Sequence, residues 1–95
     1  MRFEWDPEKS TANRRKHRIS FEKATELWNA DFLEIYDEAH SDEEDRFIGV
    51  GMVDQHVVIV VFTEPEDDLV RIVSARMAKR PERHLFELWE RQRNE

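Results

Sequence analysis

The stretch RFIGVGMVDQHVVIVVFTEPEDDLVRIVSAR, residues Arg46–Arg76, decides the fold. It contains three apolar runs of strand length, separated by the short polar connections Asp54-Gln55 and Glu64–Asp68. The middle run, His56–Thr63, is almost wholly apolar, which is typical of a central strand covered on both faces. Since short turns join neighbouring antiparallel strands, this stretch predicts an antiparallel meander.

Alternation places particular side chains on each face of these strands. Gly49 and Gly51 share one face of the first run, which suggests a bulge or a close approach by another part of the chain. In the last run, Leu69–Arg76, the same alternation predicts Ile72, Ser74 and Arg76 on one face and Arg71 on the other.

The flanking segments complete an α+β domain. Residues 2–5 alternate as a short strand would, and Asp6-Pro7 begins a helix that we expect to run to about Arg18. Ser20 begins a second, amphipathic helix to about Asn29. A short strand with Leu33 and Ile35 on one face precedes the acidic loop DEAHSDEED, and Pro81 opens a last helix.

We therefore predict the order β-α-α-β-β-β-β-α. The expected architecture is a curled, mainly antiparallel sheet of four or five strands, with two N-terminal helices against one face and a C-terminal helix. Residues 91–95 carry no apolar pattern, and we expect them to fray.

The composition narrows the classes of protein to consider. The 95 residues contain no cysteine, which excludes a disulfide framework and a thiolate zinc site. No apolar run reaches the roughly 18–20 residues of a membrane span. The N-terminus MRFEWD lacks the apolar region of a signal peptide. We therefore expect one domain, residues 1–95, in the cytoplasm and without a membrane partner.

Charge is segregated along the chain. The net charge is −7, which alone argues against a nucleic-acid partner. Residues 7–18 nevertheless carry a net charge of +4, and residues 69–95 carry +3. Residues 31–45 hold eight Asp or Glu and no Lys or Arg. Two basic segments and one acidic segment predict a two-faced surface.

The first helix has almost nothing apolar to bury. Its only apolar residue after the proline is Ala12, whereas Lys9, Asn13, Lys16 and His17 fall on one polar face. This face is either solvated surface or the wall of a site. His17 is the side chain there that changes charge near neutral pH.

A second basic group surrounds the end of the last strand. Arg76 is followed by Lys79, Arg80 and Arg83, and a guanidinium at a strand end suits phosphate oxygens. The alternative is a set of surface charges without a ligand. His40 lies among acidic residues, but without a spacing typical of metal ligands. We expect neither a metal nor a cofactor.

Several motifs occur in a particular order along nearly the whole chain. FEWDPEKSTANRRKHRISFEKA (Phe3–Ala24) contains Trp-Asp, then a Lys, an Asn, a Lys-His pair and a Phe. EDRFIGVG (Glu44–Gly51), VVFTE (Val60–Glu64) and VRIVSAR (Val70–Arg76) follow, and Glu82-Arg83 ends the series. Each motif is weak alone, but the ordered set resembles the BrnT toxins of bacterial type II toxin–antitoxin systems.

The resemblance implies a compact fold similar to RelE/ParE-type toxins and growth arrest by metal-free RNA cleavage. It also implies a BrnA-like antitoxin that binds the toxin and carries a DNA-binding part. The toxin would then contact DNA only through that complex, which represses its own operon.

Metal-free RNA cleavage needs a base, cations at the phosphate and an acid. We assign Arg76 to the phosphate charge, with Lys16 and Arg80 as helpers, and His17 to acid–base chemistry. Glu64 is an alternative base, or a turn residue without a catalytic role. The further cations expected to contact RNA phosphates are Lys9, Arg71, Lys79 and Arg83.

Three positions depart from the family pattern. Arg18 stands where relatives often have Gly, so we expect the helix end to lack its usual left-handed residue. Met77 stands where Lys or Arg is common, and Phe86 where Tyr is common.

A non-enzymatic interaction module is the competing hypothesis. A Lys/Arg-rich antitoxin surface would dock on residues 31–45, and the face formed by Leu85, Leu88 and Trp89 would pack with a partner helix. The chain would then act only as a subunit of a DNA-binding complex.

Overall fold

The computed structural model of the protein describes residues 1–94, and Glu95 lies outside the described part. The strands are β1 (Arg2–Glu4), β2 (Leu33–Tyr36), β3 (Arg46–Val53), β4 (His56–Glu66) and β5 (Leu69–Met77). The α-helices are α1 (Pro7–His17), α2 (Phe21–Ala24) and α3 (Arg80–Arg93), and 3₁₀ turns cover Thr25–Asn29 and Glu38–His40. Among residues 1–94, no helix is long and apolar enough to cross a bilayer.

The strands form one five-stranded sheet in the order β1-β5-β4-β3-β2. The predicted meander β3–β4–β5 is antiparallel throughout, and β2 pairs antiparallel with β3. β1 lies parallel to β5 at the other edge. The predicted α+β class and mainly antiparallel sheet are thus confirmed.

Two irregularities in the β4–β5 pairing change the predicted details. β4 continues to Glu66, so Glu64 lies in a strand and not in the predicted turn. Val61 pairs with Ser74 and Phe62 with Ile72, which leaves Val73 as an extra residue of β5. Ile72 and Ala75 therefore face the same core. The prediction that Ile72 and Arg76 share a face is wrong because the bulge reverses the alternation.

Each face of the sheet has its own core. The larger core lies under the N-terminal helices and joins Phe21, Ala24 and Leu27 to β4 side chains such as Val58, Val60 and Phe62. The smaller core lies under α3, where Phe86 packs with Val50, Ile59 and Ala78. Burying a side chain such as Phe21 or Phe86 stabilises the fold by roughly 2–3 kcal/mol.

The two glycines of β3 permit the close approach that their spacing predicts. A Cβ on Gly49 would lie 2.8 Å from Leu27 Cδ2, and a Cβ on Gly51 would lie 2.7 Å from Phe32 Cβ. Neither glycine has a positive φ, so the requirement is for space and not for an unusual backbone.

The helix ends differ from expectation in three places. Arg18 adopts the left-handed conformation, with φ 64°, and its N–H donates to Arg14 O, so the helix end keeps its left-handed residue without glycine. The predicted second helix is α-helical only to Ala24 and then tightens into a 3₁₀ turn to Asn29. α3 continues to Arg93, whose guanidinium pairs with Asp31 and lies 4.5 Å from the Trp89 ring centre. The prediction of fraying is therefore wrong for residues 91–93.

Candidate active site

The polar helix α1 is attached to the sheet by one side chain. Asn13 is only 8% exposed. Its Nδ2 donates to Ala75 O and to Ile19 O, both at 2.8 Å, and its Oδ1 accepts from Ala75 N at 3.3 Å. The amide thus bonds Ala75 of β5 as a neighbouring strand would, beyond the end of the short strand β1. This explains how a helix without an apolar stripe is held in place.

Two further hydrogen bonds near the N-terminus of α1 support this attachment. The Asp6 carboxylate accepts from Glu8 N at 2.9 Å as the N-cap. Ser10 Oγ accepts from Phe21 N at 2.9 Å and so ties α1 to the start of α2. The position of the side chains on the outer part of α1 is therefore fixed relative to β5.

The structure brings together three of the predicted site residues beside this attachment. Lys9, Lys16 and His17 line an open depression of about 290 Å³ between α1 and β5. Val73 and Ser74 of β5 also line it. His17 is half-buried, whereas both lysines are exposed. The depression thus offers two exposed ammonium groups and one half-buried imidazole beside the attachment of α1 to β5.

Lys9 also lines an adjoining depression of about 440 Å³, together with Trp5, Asp6 and Arg71. Arg71 Nε donates to Glu4 Oε2 at 2.5 Å, and its Nη1 lies 3.7 Å from Glu44 Oε1. The bond to Glu4 raises the pKa of Arg71, followed by the charge of Glu44. Arg71 is therefore a cation already paired with carboxylates at the rim of this second depression.

Arg76 makes an ion pair that the sequence analysis did not predict. Its Nη1 and Nη2 donate to the two oxygens of Glu82, each at 2.7 Å. Glu82 Oε1 also accepts from Lys79 N at 2.8 Å, as the third helical residue of a capping box does. These bonds, chiefly that from Arg76, lower the pKa of Glu82 to about 2. The spacing of Lys79 and Glu82, which is that of a capping box, is the feature of the sequence from which the position of Glu82 could have been predicted.

The other predicted cations lie on the first turns of α3. Arg80 and Arg83 line a depression of about 330 Å³ with His84 and Glu87. Arg83 Nη1 donates to Ala78 O at 3.0 Å. Lys79 is the N-cap residue and is exposed.

The two basic groups are anchored at consecutive residues of β5. α1 is hydrogen-bonded to Ala75 through Asn13, and α3 is ion-paired to Arg76 through Glu82. Adjacent Cα atoms are about 3.8 Å apart, and His17 lies one helical turn beyond Asn13. Both basic groups therefore lie at the end of β5, although about 60 residues separate His17 from Arg76 in the sequence.

Glu64 does not join this arrangement. It is exposed on β4 and is not among the residues that line the depression beside α1. Its charge instead contributes to the raised pKa of Glu34 on β2, where burial is the larger cause. Within residues 1–94, no group of three or more His, Cys, Asp or Glu side chains is placed to hold a metal ion.

Ser74 is a residue that the sequence analysis did not place at the site. It lines the depression beside α1, as Lys16 and His17 do. The motif Ser74-Ala75-Arg76 could have pointed to this residue. The bulge at Val73, however, changes the face on which Ser74 lies relative to Ile72.

The expected partner face of α3 is only partly free. Leu85 is 45% exposed and Leu88 39%, whereas Trp89 packs against the smaller core with Phe86. Phe86 itself is 3% exposed, so its lack of a tyrosine hydroxyl removes no group from the depression beside α1.

Comparison with known proteins assigns the family. A family model described as the ribonuclease toxin BrnT of type II toxin–antitoxin systems matches residues 5–82. The fold is similar to the crystal structure of the Brucella abortus ribonuclease toxin BrnT, with a TM-score of 0.63 and 19% identity over 84% of this chain and 99% of that one. No curated protein sequence gives a significant match. The matched residues include α1, all of β5 and the start of α3, and the chain belongs to the BrnT family of ribonuclease toxins of type II toxin–antitoxin systems.

Proposed function

We propose that this chain is a metal-independent endoribonuclease that arrests growth in the cytoplasm by cleaving RNA. The observation that carries the proposal is the depression between α1 and β5, where Lys9, Lys16 and His17 converge on one side. Family membership supports the same activity. A cognate BrnA-like antitoxin neutralises the chain, and the complex represses its own operon, so contact with DNA comes only through the antitoxin.

In the proposed reaction, RNA lies along β5 with its scissile phosphate over the depression. The neutral imidazole of His17 takes the proton of the 2′-hydroxyl, and O2′ attacks phosphorus as the bond from phosphorus to O5′ breaks. The ammonium of Lys16 donates a proton to the leaving O5′, which yields a 2′,3′-cyclic phosphate and a free 5′-hydroxyl. A positioned base or acid contributes typically 10²–10⁴-fold.

Charge on the phosphorane is stabilised by Lys9, whereas the cations at the end of β5 bind the rest of the RNA. Lys9 lies on the same wall as Lys16 and reaches the phosphate, or its 5′ neighbour, from the side of Trp5. Both terminal nitrogens of Arg76 are hydrogen-bonded to the Glu82 carboxylate, so Arg76 binds phosphate only if its guanidinium first separates from Glu82. We therefore place Arg76, Arg80, Lys79 and Arg83 in RNA binding along α3, with Arg71 at the far rim of the second depression. Glu64 has no part in this scheme.

One observation favours the competing function, a protein-binding subunit without catalytic power. The guanidinium best placed at the strand end is already occupied by Glu82, and Met77 beside it is an uncharged residue that is 40% exposed. A chain of this kind would bind the antitoxin and act only within the DNA-binding complex.

Cleavage of single-stranded RNA by the purified, antitoxin-free chain separates the two functions. We expect cleavage to persist in excess EDTA and to leave 2′,3′-cyclic phosphate ends. Lys16→Ala should lower the rate by about tenfold or more. Arg15→Ala is the matched control, because Arg15 is an exposed cation on α1 that lines a different depression. Loss of cleavage in EDTA would refute metal independence, and no cleavage at all would favour the binding subunit.

A further inference from the structure

The second edge of the sheet is open along β2. Among residues 1–94, β2 pairs only with β3, in an unbroken register from Leu33 opposite Val50 to Tyr36 opposite Phe47. Proteins usually protect such an edge with lysine, proline, a bulge or a covering element. LEIY, the sequence of β2, contains neither lysine nor proline, and no irregularity interrupts its pairing.

The register shows which backbone groups point outwards. Asp37 N donates to Arg46 O, so Leu33, Ile35 and Asp37 bond to β3 along the ladder. The N–H and C=O groups of Glu34 and Tyr36 therefore face away from the sheet. Glu34, Ile35 and Tyr36 are all exposed, Tyr36 by 50%. Two N–H donors and two C=O acceptors are thus available to form hydrogen bonds with one more strand.

The charge of the residues around β2 determines which kind of strand can pair with this edge. Residues 31–45 hold eight Asp or Glu and no Lys or Arg. Glu34 takes part in none of the ion pairs found among residues 1–94. Its carboxylate is partly shielded from water by the sheet, and this partial burial, with the charge of Glu64, raises its pKa. A second copy of this chain would place like charges side by side, which destabilises pairing. A strand with Lys or Arg would instead neutralise them.

The side chains on the two faces of β2 indicate which residues the added strand needs at each position. Glu34 and Tyr36 lie on one face, where Tyr36 packs edge-on against Phe47 at 5.8 Å. Leu33, which packs against the smaller core, and Ile35, which is 36% exposed, lie on the other. Neighbours across a sheet share a face. The fitting strand therefore alternates basic residues opposite Glu34 with apolar residues opposite Ile35.

We propose that the free edge of β2 docks an extended basic segment of the antitoxin, which adds to the sheet as a sixth strand. This proposal rests on the proposed function for the identity of the partner. Backbone bonds to Glu34 and Tyr36 supply the affinity, and the acidic segment supplies the selectivity. β3 and β4 separate β2 from β5 in the sheet, so the added strand leaves the depression beside α1 open. Inhibition of RNA cleavage then needs another part of the antitoxin.

Amide hydrogen exchange measured by NMR on the wild-type chain tests this docking. The probes are the peptide Thr-Lys-Val-Lys-Val-Lys-Thr and its counterpart with Glu in place of Lys. In the free chain, the amides of Glu34 and Tyr36 should exchange fast and that of Ile35 slowly. Excess lysine peptide should slow Glu34 and Tyr36 by about tenfold or more, and the glutamate peptide should leave them unchanged.

Two variants refine the experiment. Glu34→Pro removes an outward N–H while the ladder to β3 stays intact, as edge strands permit, and should weaken the lysine peptide by about tenfold. Glu34→Gln keeps the N–H, removes the charge and should weaken it by about two- to threefold. Protection confined to other residues, equal binding of both peptides, or self-association through β2 would overturn the proposal. RNA cleavage is measured separately, so a chain that cleaves no RNA but protects these amides loses only the proposed enzymatic function.

Discussion

Replacing Asn13 with alanine should destabilise the fold far more than a change at a polar helical residue usually does. The substitution removes three hydrogen bonds and leaves Ile19 O, Ala75 O and Ala75 N without their partner. Each bond contributes about 0.5–1.5 kcal/mol, and unsatisfied buried groups add to the loss. Water reaching a site that is 8% exposed offsets part of it. We expect a loss of about 2–4 kcal/mol, a large fraction of the roughly 5–15 kcal/mol typical of a domain.

Urea denaturation followed by tryptophan fluorescence measures this free energy, and the slope with denaturant should remain unchanged. Asn13→Asp is a nearly isosteric variant that keeps the acceptor but turns a carboxylate towards two carbonyl oxygens. It should cost at least as much at neutral pH. Arg14→Ala, on the next and exposed residue of α1, should change stability by no more than about 0.5 kcal/mol. A loss below about 0.5 kcal/mol for Asn13→Ala would refute the attachment of α1 through this amide.

Three further changes follow from the geometry. Arg18→Gly should stabilise the chain by about 0.5–1 kcal/mol in urea denaturation, because Arg18 has φ 64°; a loss of stability would contradict this. Gly51→Ala should cost about 1–3 kcal/mol in the same measurement, since its Cβ would lie 2.6 Å from Leu27 Cδ1, and a neutral effect would show that Leu27 yields freely. The pKa of Glu82 is lowered from 4.5 to about 2. Its pair with Arg76 therefore stabilises the fold fully above pH 4.5, and about 3 kcal/mol of that stability is lost as the pH falls to 2. Glu82→Gln should abolish that part of an acid titration of stability, and an unchanged titration would refute the pair.

The central part of the fold could be predicted because its pattern is local. The bounds of β3 are those predicted, and the two-residue connection Asp54-Gln55 fixes the register of β3 with β4. The glycines of β3 indicated a close contact, but only the structure identifies Leu27 and Phe32 as the side chains that occupy the space beside them.

The errors arise where distant parts of the chain determine the local structure. A bulge at Val73 depends on how β5 pairs with β4, and no residue in the sequence signals it. Arg93 is ordered through Asp31, far away in sequence. For the candidate site, helical geometry predicted the grouping of Lys9, Lys16 and His17, whereas the pairing of Arg76 with Glu82 required the position of α3 on β5.

The rate at which the purified, antitoxin-free chain cleaves single-stranded RNA, compared between wild type and His17→Ala, tests the central claim most directly. We predict that the substitution lowers the rate by about tenfold or more, while circular dichroism shows an unchanged fold and Arg15→Ala cleaves as fast as wild type. Cleavage by His17→Ala at the wild-type rate would contradict the assignment of the active site to the wall formed by α1.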